Sequence, residues 1–119
     1  MMPGRQFLLM CLAATSVAVC AQTNTDPAMM PVPGPPTQAL VDKGRAQFDR
    51  TCAQCHGRNM VNSGTTSYDL RRFPIDESDR FFNSVTNGKN NMPSFKGALD
   101  PGAIQWLWAY VSTRGGKEM

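Results

Sequence analysis

The residues that could do chemistry are concentrated in one short stretch, residues 51–57, which reads TCAQCHG. It places two thiols, Cys52 and Cys55, three positions apart, and His56, the single histidine of the chain, directly follows the second. Such a group could form a redox dithiol, contribute ligands to a zinc site, close a disulfide or anchor a haem. The rest of the chain has to decide between these possibilities.

Three of the four readings lack something that the chain would have to supply. A thioredoxin-like dithiol follows a strand in a βαβ unit, whereas this motif follows a helical pattern. A structural zinc site needs four ligands, usually Cys or His, and the chain after residue 21 has only three such residues. A plain disulfide leaves His56 without a role. Haem attachment uses all three residues, because the thiols add to the two vinyl groups of the porphyrin and the histidine binds the iron. We therefore expect one haem c, covalently held by Cys52 and Cys55, with His56 as an axial ligand of the iron.

The second axial ligand is expected to be Met92, in the segment GKNNMPSF. A second histidine is ruled out, because the chain has only one. Met60 lies four residues after His56 and is too closely tethered to reach the opposite face of the ring. Pro93 favours an extended conformation at Met92. Met/His ligation is a common axial pair for a haem that only carries electrons.

The beginning of the chain is typical of an export signal. Arg5 precedes an apolar run from Phe7 to Val19, and small residues follow. This run is shorter than the roughly 20 apolar residues that a membrane span needs. We expect a signal peptide at 1–21, cleaved before Gln22, and therefore a periplasmic protein without a membrane span in its mature chain. An uncleaved anchor and lipidation at Cys20 remain as alternatives.

A proline-rich tether is expected at 22–37, before a folded domain at 38–119. The tether contains five prolines and has no helical or strand period, so it should be stiff and extended. Without Arg5, eleven basic residues face nine acidic ones, which leaves a net charge of +2. This charge is too small and too scattered to indicate nucleic-acid binding.

Three helices are predicted in the folded domain, and no strand pattern is present. They are a helix from Gln38 to about Arg50 capped by Thr37, a helix from Asp76, as its cap, to Asn87, and a helix that opens at Asp100-Pro101 and ends at Gly115-Gly116. An irregular segment from Arg58 to Ile75 separates the first two. Three short helices bury little apolar surface, so a domain of this size is marginally stable without a staple, metal or cofactor. A large apolar cofactor at its centre would resolve that deficit.

Several of these motifs together resemble a class I c-type cytochrome. They are Gly44-x-x-x-Phe48, the CxxCHG motif, the Gly88...Met92-Pro93-x-Phe95 segment and the terminal aromatic helix WLWAY. The resemblance covers residues 37 to about 113. It implies an all-α fold of three to four helices around a covalently bound haem, in which the first and last helices cross near Gly44. The stretch from Tyr68 to Phe95 is similar, more finely, to cytochromes and cytochrome domains that serve quinoprotein alcohol dehydrogenases.

The resemblance also implies contacts around the haem. Members of the family often have a proline after the haem motif whose carbonyl oxygen accepts the ring N–H of the histidine. This chain has no proline there before Pro74, so a carbonyl between Thr66 and Tyr68 is expected to take that role. Tyr68, Arg71 and Arg72 are candidates for binding the haem propionates, since guanidinium groups match carboxylates. The alternative is that the two arginines are solvated surface residues.

These observations predict a monomeric one-electron carrier and not an enzyme. Its partners would be redox proteins: a dehydrogenase, of the quinoprotein alcohol dehydrogenase type, as donor, and a terminal oxidase or another cytochrome as acceptor. With His56 committed to iron, the chain has no spare imidazole base for catalysis. Two alternatives remain open: a haem-based ligand sensor with an open sixth site, and a haem subunit fixed in a larger dehydrogenase or oxidase complex.

Overall fold

The fold of the chain is known from a computed structural model that describes residues 34–62 and 67–119. The predicted signal peptide, most of the predicted tether, and Thr66 lie outside these described residues. Within them the chain forms α1 (Gln38–Thr51), α2 (Ala53–His56), α3 (Ser78–Asn87) and α4 (Pro101–Ser112), with 3₁₀ turns at Arg58–Met60 and Leu70–Arg72. The described residues contain no strand, only two isolated bridges, at Lys89–Met92 and Lys96–Leu99. The predicted all-α fold is confirmed.

Helices α1 and α4 begin where local chemistry predicts. The Thr37 side chain accepts a hydrogen bond from the Leu40 amide, which satisfies an N–H that the first turn cannot use. Asp100 accepts one from the Gly102 amide at 2.7 Å, and Pro101 occupies the first helical position, where its missing N–H costs nothing.

The crossing of α1 and α4 is set by Gly44. A Cβ atom on Gly44 would lie 1.9 Å from the Trp106 carbonyl oxygen and 2.8 Å from the Tyr110 Cβ atom. Only a residue without a side chain allows this approach. The predicted crossing of the first and last helices is confirmed, and it brings Phe48 of α1 onto the ring of Tyr110, with 5.2 Å between centroids.

The core lies between α1, α3, α4 and the segment that follows the CxxCH motif. Its most deeply buried side chains are Tyr110, Phe48, Met60, Leu107, Val41 and Val111. Residues of the connecting segments pack against the same cluster, among them Cys52, Leu70, Met92, Phe95 and Leu99. The haem motif and the Met92 segment therefore border one continuous apolar core.

The predicted start of α3 is wrong by one residue. Asp76 does not cap the helix, which begins at Ser78 with Glu77 as its N-cap. The Glu77 amide donates to the Pro74 carbonyl oxygen at 3.2 Å, so residues 74–77 form a turn and Asp76 lies inside it. Glu77 makes no side-chain cap and instead pairs with Arg80.

The predicted end of α4 is also displaced. The helix ends at Ser112, three residues before Gly115. The Thr113 hydroxyl donates to the Ala109 carbonyl oxygen at 2.7 Å, and the Gly115 amide donates to that of Tyr110 at 2.8 Å. The two glycines, both with positive φ, then turn the chain back over α1 instead of ending the helix.

None of the helices in the described part of the chain is long and apolar enough to cross a membrane.

Candidate functional site

The two thiols of the candidate site lie on a short helix that continues from α1. Cys52 joins α1 to α2 in a helical conformation, with φ −104° and ψ −31°. Its side chain is half-buried and that of Cys55 is exposed, and no disulfide joins them. Burial, and to a lesser degree the neighbouring Cys55, raise the pKa of the Cys52 thiol to about 11. Both thiols are thus free of a disulfide, and Cys52 packs at the edge of the core.

His56 is held with one ring nitrogen engaged and the other available. Its Nδ1 lies 3.2 Å from the Tyr68 carbonyl oxygen, which can only accept a hydrogen bond. The neutral ring therefore carries its proton on Nδ1 and has a lone pair on Nε2. Burial lowers the pKa of His56, and the Tyr68 carbonyl partly opposes this. A half-buried, neutral imidazole oriented by a carbonyl is the form that binds metal.

The carbonyl that was expected between Thr66 and Tyr68 is thus that of Tyr68. Tyr68 lies twelve residues after His56. The turn that separates them begins at Gly57, where only glycine fits. Gly57 has φ +77°, and a Cβ atom there would lie 1.9 Å from the Val61 carbonyl oxygen. The chain therefore folds back immediately after His56, which starts the segment that returns to the imidazole.

Met92 lies in a loop that is fastened to the end of α3. Its amide donates to the Lys89 carbonyl oxygen at 2.9 Å, and its carbonyl accepts from the Lys89 amide at 3.1 Å. Beyond it, the Phe95 amide donates to the Val85 carbonyl oxygen at 3.1 Å. The Met92 side chain is half-buried against the core cluster. Its thioether is therefore held on the same core as Cys52, by backbone bonds that do not depend on any ligand.

The remaining predicted site residues lie close together on the segment after Tyr68. The Tyr68 ring is 50% exposed, and its hydroxyl donates to the Arg72 carbonyl oxygen at 3.2 Å. Arg71 makes a bidentate pair with Asp69, at 2.9 and 2.8 Å, while Arg72 is exposed on the 3₁₀ turn. Arg71 holds the pKa of Asp69 well below its usual value, at about 2. A haem propionate at Arg71 would therefore have to compete with a carboxylate already in place.

Two arginines that sequence reasoning missed connect this region to the C-terminus. Arg45 donates to the Gly115 carbonyl oxygen at 2.8 Å and to the Asn59 side chain at 3.3 Å. Arg114 donates to the Phe73 carbonyl oxygen at 2.8 Å. These partners are distant in sequence, and no local pattern marks them.

Comparison with known sequences decides the family. Residues 39–111 match the family described as cytochrome C oxidase, cbb3-type, subunit III. A cytochrome c6 of Synechococcus sp. is 32% identical over 114 residues, which cover 92% of this chain and 94% of that protein. The chain belongs to the cytochrome c family. As a member, it is a monohaem c-type cytochrome that carries electrons and is not an enzyme.

Two further relatives show how far the likeness extends. A cytochrome c6 of Nostoc sp. is 40% identical over 72 residues, or 57% of this chain and 65% of that protein, slightly under two thirds of its length. A quinohemoprotein alcohol dehydrogenase of Pseudomonas putida is 30% identical over 96 residues, which are 75% of this chain but only 13% of the dehydrogenase. The resemblance to c-type cytochromes is confirmed. The finer likeness to cytochromes of quinoprotein dehydrogenases rests on this distant match.

The donor atoms of the cytochrome fit the covalently bound haem c that its family implies. Neither thiol is in a disulfide, the His56 imidazole has one nitrogen free, and Cys52 and Met92 pack against one apolar core. Cys52 and Cys55 match the CxxCH spacing of haem attachment. No group of three or more His, Cys, Asp or Glu side chains in the described residues could hold a separate metal ion.

Proposed function

We propose that this cytochrome is a periplasmic one-electron carrier with Cys52 and Cys55 attached to the haem and with His56 and Met92 on its iron. The observation that carries the assignment is the hydrogen bond from His56 to the Tyr68 carbonyl oxygen, at 3.2 Å. It orients the imidazole so that the other nitrogen is free for iron. Haem bound in this way supplies one-electron chemistry, because its iron alternates between the ferrous and ferric states.

The Met92 loop supports the second axial position. Three backbone hydrogen bonds hold residues 89–95 in place. The Met92 side chain packs against the same core as Cys52. A ligand held in this way stays in position when the iron changes charge, so the protein reorganises little during transfer. A bond from the Met92 sulfur to the iron would occupy the coordination position that a gaseous ligand needs. Ligation by Met92 therefore disfavours a haem-based ligand sensor.

Replacement of Met92 tests the axial assignment. In Met92→Ala we expect the oxidised protein to lose its sulfur-to-iron charge-transfer band and the reduced protein to bind carbon monoxide. Met60→Leu is the matched control, since Met60 is a fully buried core methionine at 2% exposure. It should keep the band and exclude carbon monoxide. A band that survives in Met92→Ala would contradict the assignment.

We propose a dehydrogenase of the quinoprotein alcohol type as electron donor, and an oxidase or another cytochrome as acceptor. The match to a quinohemoprotein alcohol dehydrogenase supports the donor, and the description of the matching family as an oxidase subunit supports the acceptor. Stopped-flow reduction by a panel of purified dehydrogenases, quinoproteins among them, tests the donor. Rapid reduction by a quinoprotein would support it, and failure with every quinoprotein would remove it.

A second candidate is a haem subunit fixed in a larger complex. The description of the family as subunit III of an oxidase favours it. Size-exclusion chromatography of the native periplasmic extract separates the two, because a free carrier elutes as a 13.1 kDa protein or smaller. Elution with a dehydrogenase or oxidase would favour the fixed subunit.

The proposed signal peptide at 1–21 supports the periplasmic location. Intact mass spectrometry of the mature protein tests the proposal, with a chain that begins at Gln22 and carries one haem as the expected result. A mass that includes a lipid on Cys20 would replace it with a lipid-anchored protein.

A further inference from the structure

The hydrogen bond that orients His56 depends on how the Tyr68 carbonyl is itself held. Among the described residues, no backbone–backbone hydrogen bond involves Ser67 or Tyr68. The Tyr68 carbonyl is therefore not fixed by regular secondary structure. Its position depends on side-chain contacts with the segments on either side.

On its N-terminal side the Tyr68 segment is held by Asn62. The Asn62 side-chain amide donates to the Ser67 carbonyl oxygen at 2.7 Å. This oxygen belongs to the peptide bond that leads into Tyr68, so the contact fixes the plane from which the Tyr68 main chain starts. Asn62 and Ser67 are both half-buried, so water competes with this hydrogen bond only in part.

Asn62 is in turn fixed relative to His56. A Cβ atom on Gly57 would lie 1.9 Å from the Val61 carbonyl oxygen and 3.0 Å from the Asn62 amide nitrogen. The residue after His56 is therefore packed against the peptide bond between Val61 and Asn62. The Val61 amide also donates to the Arg58 carbonyl oxygen at 3.1 Å, which closes this turn.

These contacts form a closed ring. Gly57, which follows His56, packs against the peptide bond between Val61 and Asn62. The Asn62 side chain then bonds to Ser67, and the Tyr68 carbonyl oxygen returns to the His56 imidazole. On the C-terminal side, Asp69 accepts from the Arg71 amide at 3.1 Å and so starts the 3₁₀ turn. The Asn62 side chain is the contact of this ring that one substitution can remove without touching His56 or Tyr68.

We propose that Asn62 is a positioning residue for the haem iron, which acts by holding the Tyr68 carbonyl against the His56 ring N–H. This inference rests on the proposed role of His56 as an iron ligand. A hydrogen-bonded imidazole is the more basic ligand and favours ferric iron. Loss of the Asn62 contact loosens the bond, makes His56 a weaker donor and shifts the reduction potential upward.

The test is Asn62→Leu, which keeps the approximate size and charge of the side chain and removes its donor. Exchange of the His56 Nδ1–H proton is measured by NMR on the reduced haem-bound protein. We expect exchange about tenfold faster than in the wild type, since removal of one hydrogen bond commonly has an effect of this size on a local opening equilibrium. The reduction potential should rise in the same variant.

Asn83→Leu is the matched control. Asn83 is exposed on α3 and is not part of this ring of contacts; its side chain accepts from Asn87 at 2.7 Å. It should leave the exchange rate and the potential unchanged. Equal acceleration in Asn62→Leu and Asn83→Leu would overturn the proposal, and so would slow exchange in Asn62→Leu, since a merely structural asparagine lowers only the unfolding temperature.

Asn62→Asp provides a second variant if Asn62→Leu folds poorly. It keeps the shape of the side chain and loses both N–H donors, so the exchange should again be faster, and unchanged exchange would overturn the proposal. Its potential is not compared, because the added negative charge lowers it directly. If the NMR chemical shift of the wild-type His56 Nδ1–H proton is not changed by the porphyrin ring, His56 is not the iron ligand and the proposed function fails. If the shift is present and exchange is slow in both variants, only the role of Asn62 fails.

Discussion

Replacement of Gly44 by alanine tests the packing of α1 against α4 that supports the haem motif. The added methyl carbon would lie 1.9 Å from the Trp106 carbonyl oxygen, whereas ordinary contacts begin at 3.4 Å. The obstructing atom belongs to the backbone of α4, so no side-chain rotation relieves the clash. The two helices would have to separate by roughly 1.5 Å, the difference between these two distances.

The size of the effect follows from two opposing contributions. Alanine in place of glycine inside a helix stabilises it by about 1 kcal/mol. Forcing an extra methyl into a packed contact costs about 1–3 kcal/mol, and a rigid backbone obstacle places this site at the upper end. Separation also weakens the contact of Phe48 with Tyr110. We expect Gly44→Ala to lower the free energy of unfolding by about 2 kcal/mol.

The assay is urea unfolding of the oxidised haem-bound protein, followed by circular dichroism. Ala46→Gly is the control, because Ala46 is exposed on the same helix and its replacement measures the propensity contribution without a change of contact. It should lower the free energy of unfolding by about 1 kcal/mol. Gly44→Ala as stable as the wild type, or more stable, would refute the close crossing, since the propensity gain would then be unopposed.

Three further predictions concern the elements around the site. Asp100→Ala removes the carboxylate that accepts from the Gly102 amide at 2.7 Å, and should lower the free energy of unfolding by about 1 kcal/mol. An unchanged midpoint of urea unfolding would contradict this. Phe48→Ala, at a site that is 1% exposed, should cost about 3–5 kcal/mol, and a loss below about 1 kcal/mol would contradict the packing of the core. Because Arg71 lowers the pKa of Asp69, the stabilisation by this pair should be present above about pH 4 and be lost as the pH falls through about 2. NMR titration of the Asp69 carboxyl should give a midpoint near 2, and a midpoint near the ordinary value would show that the pair does not form in solution.

The parts of the fold that sequence predicts are those that local chemistry determines. Thr37 and Asp100 begin helices because their own side chains accept amides of the first turn. Gly44 has no local role, and its importance came from the family resemblance instead of from the helix pattern. The start of α3 was mispredicted because Asp76 is a good cap by type, whereas the bond from the Glu77 amide to Pro74 places it inside a turn.

The candidate site also has one part that the sequence predicts and another part that depends on how the chain folds. The CxxCH spacing identifies the haem motif without a structure, because the porphyrin itself sets that spacing. The choice of Tyr68 as the partner of His56, and the role of Asn62 in holding it, depend on how the chain folds back at Gly57. The buried position of Met60 also depends on this turn, in which Asn59 and Met60 both have positive φ. Positive φ is uncommon outside glycine and, although Asn adopts it more readily than Met, two such residues in succession are not predicted by the sequence pattern.

Exposure of the reduced wild-type protein to carbon monoxide tests the central claim, a carrier with both axial positions of the iron filled from this chain. The absorption spectrum should remain that of the six-coordinate protein, because the Met92 loop is fastened to α3 by backbone hydrogen bonds and holds its thioether in place. Prompt formation of a carbon monoxide adduct by the native protein would contradict the account and indicate an open sixth site.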